Sequence, residues 1–161
     1  VDYRSLSKEE FDAVVTGELT HYALWIERAL EALIIRFFGF SGTTSEVFSR
    51  LILRRESFTF SSKIDLIRSL ALESSLAQDR IQLLQSLIRQ VENFKNLRNS
   101  LAHGLDVSDQ EDTLNLKIET VSRQGKSKIL QVSPESHQKV VDEAQSILDE
   151  LAKVVQFFGP K

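Results

Sequence analysis

Apolar residues in the first third of the chain recur at the three- and four-residue steps of an α-helix. Phe11, Val15, Leu19, Tyr22, Ile26, Leu30, Leu33 and Phe37 form one stripe, the pattern of a helix with a single buried face. Ser7-Lys8-Glu9-Glu10 precedes it as a capping box, with Ser7 at the N-cap and the Glu10 carboxylate returning to its backbone N–H. The stretch from Gly39 to Gly42 stops the helix near Phe38. Leu24 and Ile35 fall opposite the stripe, beside Trp25 and Phe38, so this helix is apolar on more than one face. It is either central to a core or shared with a partner.

Thr43-Thr44-Ser45-Glu46 repeats the capping-box pattern and predicts a short helix through Val47, Phe48, Leu51 and Ile52. Phe58-Thr59-Phe60 reads as a brief extended piece, after which Ser61 or Ser62 caps a helix carrying Ile64, Ile67 and Leu70. A fourth helix, about 77–102, has the most regular pattern in the chain. From about 112 the period changes to two, with Leu114, Leu116 and Ile118 on one face. Arg123-Gln124-Gly125-Lys126 is the turn and 128–132 the return strand of a β-hairpin. Ser133-Pro134-Glu135 supplies an N-cap, a proline at the first helical position and an acidic first turn for a last helix through Val140, Ala144, Ile147, Leu151 and Phe158. The predicted fold is all-α, an antiparallel bundle of about five helices with a peripheral β-hairpin at about 112–132, in a single domain over 1–161.

Composition narrows the chemistry. The chain is 42% apolar and 27% charged, which fits a folded domain rather than a disordered one. It has no cysteine, so a disulfide framework, a thiolate nucleophile and a cysteine zinc site are excluded, and a reducing compartment, the cytoplasm, is expected. Residues 1–7 hold no apolar leader, and charge interrupts every long apolar segment, so neither secretion nor a membrane is expected. With no Met in the chain, residue 1 is not an initiator residue. His21, His103 and His137 fall in different elements and no acidic cluster has ligand spacing, so no metal and no cofactor is expected; His21 and His137 read as surface residues. Gly17, Gly39, Gly42, Gly104, Gly125 and Gly159 are scattered stops and turns rather than a phosphate loop. A net charge of −3 argues against holding nucleic acid by bulk electrostatics. Residues 80–105 reverse that sign locally, with Arg80, Arg89, Lys95 and Arg98 against Glu92 alone.

Arg98 is the anomaly. At about 100° per residue, Leu84, Leu87, Val91 and Phe94 all fall within about 40° of it, so a guanidinium stands in the middle of the apolar stripe. It must be paired, hydrogen-bonded or held in a cleft. A structural pairing would use a carboxylate such as Glu27 or Glu31. His103 occupies the last turn, where the macrodipole favours a cation, and Gly104 follows as the usual helix-ending residue. Asn99, one turn before His103, is placed to orient it. Arg98 and His103 point about 140° apart on an ideal helix, so they converge only if the last turn opens or a second copy contributes.

Arg98, four residues, then His103, with polar Asn99 after the arginine and the histidine ending a long helix, resembles the HEPN superfamily (higher eukaryotes and prokaryotes nucleotide-binding). Ribonuclease members of that family carry an arginine, four to six residues and a histidine. The resemblance implies metal-independent endoribonuclease activity, with two copies of the motif facing each other across a homodimer. Arg98 and His103 would be catalytic. His103 would act as general base on a ribose 2′-OH or general acid on the leaving oxygen, and Arg98 would stabilise the phosphorane. Asn99, Ser100 and Lys95 would bind substrate. It further implies an RNA partner and a toxin or phage-defence role, with an antitoxin protein as a second partner. A non-catalytic HEPN-like dimer for interaction or ligand sensing is the alternative, favoured by the net acidity.

Overall fold

The computed structural model describes residues 1–108, 114–122 and 124–158. The fold is mostly α, with α1 (Lys8–Phe37), α2 (Gly42–Phe48), α3 (Phe60–Glu73), α4 (Gln78–His103) and α5 (Pro134–Val154). A small antiparallel sheet holds β1 (Leu105–Asp106), β2 (Leu116–Val121) and β3 (Ser127–Val132), in that order. The chain divides into two compact units, Val1–Ala23 with Phe94–Ala144 and Leu24–Asn93 with Gln145–Lys161. The divisions fall inside α1, α4 and α5.

In the first unit both halves of the Ser7 capping box form: Ser7 N donates to Glu10 Oε2 at 2.8 Å and Glu10 N to Ser7 Oγ at 3.2 Å. Phe11, Val15 and Leu19 are buried, as are Leu116, Ile118 and Val132 on the inner face of the sheet. The period-two reading therefore holds for β2, and β2 pairs β3 from Leu116↔Val132 to Val121↔Ser127. Gly125 turns the hairpin at φ 75°, a left-handed conformation that glycine adopts without strain. The expected start near Asp112, and Arg123 in the turn, lie outside the described residues. At the start of α5, Ser133 and Ser136 cap each other reciprocally, with Pro134 at the first helical position.

His137 is not on the surface. It is fully buried, with Nε2 2.7 Å from Glu18 Oε2, and the same oxygen accepts from the Tyr3 hydroxyl at 2.9 Å. The Tyr3 and Phe11 rings meet the imidazole edge-on at 5.0 and 6.0 Å. His137 precedes Val140, Ala144 and Ile147 at steps of three and four, so the helical period carries it inward with them. Burial, and next the hydrogen bond to Glu18, push the Tyr3 hydroxyl up to about 12.

In the second unit the core holds Ile26, Leu30 and Leu33 of α1, Ile64 and Ile67 of α3, and Leu84, Ile88 and Val91 of α4. The Thr43 capping box does not form. Instead α2 begins at Gly42 after extended Ser41 with no side-chain cap, and Ser45 Oγ donates back to Gly42 O at 2.7 Å. A π-helical turn, Ser49–Leu53, continues α2. No strand forms at Phe58-Thr59-Phe60; Thr59, not Ser61 or Ser62, caps α3 by accepting from Ser62 N at 3.2 Å. Lys63 is buried with its ammonium 2.5 Å from Glu27 and 2.8 Å from Glu31, and Arg54 Nε lies 3.3 Å from Glu31. Of the off-stripe residues Leu24 is exposed and Ile35 half-buried; their neighbours Trp25 and Phe38, the latter just past α1, are exposed. α5 tightens into a 3-10 turn at Val155–Phe158, and Gly159 lies outside the described residues. Among the described residues no helix is long and apolar enough to cross a membrane.

Candidate active site

The motif of Arg98 to Gly104 ends α4 and belongs to the first unit. The helix stays α-helical through His103, and Gly104 N donates to Ser100 O at 2.9 Å. Two residues later the chain is β1, with Leu105 paired to Glu119 and Asp106 to Ile118. This short strand, unread in the sequence, ties the helix end directly to the hairpin.

Gly104 is required by space rather than by backbone conformation. Its φ is not positive, unlike those of Gly39, Gly42 and Gly125. A Cβ there would lie 2.1 Å from Ile118 Cγ2, 2.6 Å from Ser100 O and 3.0 Å from Glu119 O. The glycine is therefore a close-approach residue seating the last turn of α4 on β2. The sequence reads Gly104 as the usual helix-ending residue, and the structure adds the tight passage into β1.

Arg98 is half-buried. Its Nε is buried without a hydrogen-bond partner, and its Nη1 donates to Asn99 Oδ1 at 3.1 Å. Glu27 and Glu31, the carboxylates the sequence offered, are engaged by Lys63 and Arg54 within the second unit. A desolvated donor on a charged group costs about 1–3 kcal/mol or more when left unsatisfied.

Asn99 thus holds Arg98, where the sequence suggested that it orients His103. Ser100 turns its hydroxyl to its own helix, donating to Asn96 O at 3.0 Å. Lys95 is half-buried and has an interaction of its own. His103 is exposed at the helix end. Three residues on, Asp106 is held below the usual carboxylate range by the Ser108 hydroxyl and then by the Ser108 backbone N–H. The Asp12 carboxyl is raised, first by burial and then by the charge of Asp106.

Chemically, the site offers an exposed imidazole and a guanidinium with part of its hydrogen-bonding capacity dry and unused. Because α4 is unbroken to His103, the opened last turn is not available, and the two groups diverge by about 140° within one chain. Among the described residues no group of three or more His, Asp or Glu is placed to hold a metal ion. Sequence reasoning missed the Gly104–Ile118 seat, since Gly104 carries the same signal as an ordinary helix stop. No family model matches the chain, and no curated protein or solved structure matches it either.

Proposed function

We propose that the chain is a metal-independent endoribonuclease of the HEPN type, with a composite active site formed by two copies in a homodimer. The observation that carries the reading is Arg98, a charged group in the middle of an apolar stripe with a buried, unpartnered Nε. A guanidinium so placed has lost hydration that a phosphate oxygen restores. His103, five residues on and exposed, supplies the group that moves protons.

In this reading one copy's His103 takes the ribose 2′-OH proton as the 2′-oxygen attacks phosphorus. Arg98 stabilises the equatorial oxygens of the phosphorane. The arginine is the partner copy's, and the imidazolium formed at His103 gives its proton to the departing 5′-oxygen. The products are a 2′,3′-cyclic phosphate and a 5′-hydroxyl, and the proton count closes without a metal. Two copies are needed because one unbroken helix directs the two side chains apart. The reading extends to the cytoplasm, to RNA as substrate, and to a toxin or phage-defence role held in check by an antitoxin protein.

Mixed RNA incubated with the chain in EDTA tests it. Cleavage by the wild type that His103→Ala abolishes supports the enzyme. An intact dimer with no cleavage leaves the non-catalytic interaction module.

A further inference from the structure

In the second unit, four arginines surround two clefts of about 580 and 360 Å³. Arg50 lines the larger, Arg28 and Arg55 the smaller, and Arg54 both. The turn that carries Arg50 and leads into Arg54 is π-helical, a rare geometry that recurs at functional sites. Arg28, Arg50 and Arg55 are exposed, and their side chains have no ion pair or hydrogen bond among the described residues. The Arg54 side chain bonds to Glu31 through Nε.

Of the four carboxylates lining the clefts, two are spent. Lys63 and Arg54 together neutralise Glu27 and Glu31. That leaves Arg28, Arg50 and Arg55 facing Glu46 and Glu56, a local positive excess in a chain of net charge −3. The Thr43 hydroxyl adds a neutral donor to the larger cleft, whereas the Ser45 and Thr59 hydroxyls are engaged with Gly42 O and Ser62. Guanidinium forks on rims suit phosphate oxygens. Because the uncommitted arginines are exposed and spread over two adjoining clefts, they fit successive phosphates of a chain better than one enclosed anion.

We infer that this double cleft is a binding site for the phosphate backbone of single-stranded RNA, with Arg28, Arg50, Arg54 and Arg55 as the contacting residues. Phosphate contacts carry no sequence information, so the site binds without base preference. The identity of the polyanion rests on the ribonuclease reading; the site itself does not.

The test uses the full chain carrying His103→Ala, so that RNA survives, and fluorescence anisotropy of a labelled uridine oligonucleotide across a salt series. Adding Arg28→Ala, Arg50→Ala and Arg55→Ala removes three phosphate contacts. The plot of log affinity against log salt should then become shallower by about 2, at about 0.7 per phosphate, with affinity at low salt falling about tenfold or more. None of the three arginines holds the fold together, and matched urea curves check that. A control with Arg36→Ala, Arg89→Ala and Lys128→Ala loses the same charge elsewhere and should keep most of the slope. An unchanged slope in the cleft variant, or an equal loss in the control, overturns the inference. So does displacement of the oligonucleotide by millimolar inorganic phosphate, which would make this a small-anion site. A wild type that cleaves nothing defeats the ribonuclease reading and leaves the salt-slope result standing by itself.

Discussion

Gly104 and Ile118 approach so closely that a single added Cβ would stand 2.1 Å from Ile118 Cγ2. One residue ends the helix that carries Arg98 and His103; the other faces inward from the central strand of the sheet. The hairpin is therefore a brace on the motif end of α4, and the orientation of His103 depends on it.

Gly104→Ala should destabilise the chain by about 1–3 kcal/mol, the usual cost of overpacking. Adding Ile118→Ala removes the nearest clashing atom, so the double variant should lose less than the two single losses summed. Urea denaturation of the four chains reads this coupling. Strict additivity would mean that the seat is not where the strain falls.

Asn99 and Ser100 should separate in a cleavage assay. Asn99→Ala frees the Arg98 fork and should lower kcat/KM about tenfold, the scale of one hydrogen bond to a charged group. Ser100→Ala removes a hydroxyl already committed to Asn96 O, so activity should stay within about twofold. The reverse order would return the substrate-holding role to Ser100.

Lys63→Met should cost about 3 kcal/mol, because it leaves Glu27 and Glu31 without their common cation. The value lies at the lower end of the range because the Glu27 side chain is still 26% exposed. Combining it with Glu27→Gln and Glu31→Gln should recover part of the loss in chemical denaturation, since neutral amides need no counter-ion. A triple variant no better than Lys63→Met would show that the network matters through packing instead.

Stability should fall at high pH through Tyr3. Its hydroxyl titrates at about 12 in the folded chain against 10.0 when unperturbed, so the folded state favours the protonated form. The associated stabilisation is fully present below pH 10 and disappears as pH rises through 12. Tyr3→Phe should be less stable below pH 10 and flatter between 10 and 12. Identical slopes in urea unfolding at those pH values would remove Tyr3 from the account.

Elements with reciprocal chemistry were legible in the sequence. The Ser7–Glu10 box, the Ser133-Pro134 start and the alternation of Leu116 with Ile118 each rest on a pattern that local geometry enforces. At Thr59, Ser61 and Ser62 three hydroxyls compete for one cap, and the outcome depends on which backbone is extended. The π-helical turn and the two-residue β1 have no periodicity to read. His137 and Lys63 were legible by the argument that exposed Arg98: each lies on its helix's apolar face, so each had to be buried and paired. The neighbour across the fold that makes Gly104 a seat has no local signature at all.

Mixing two inactive variants tests the composite site most directly. Arg98→Ala and His103→Ala chains, unfolded together and refolded at equal concentration, should form about half mixed dimers, each regaining one intact site of two. RNA cleavage in EDTA should then return to about a quarter of the wild-type specific activity, where either variant alone gives none. A refolded mixture as inactive as its components, with mixed dimers present by native mass spectrometry, would contradict a site shared between two copies.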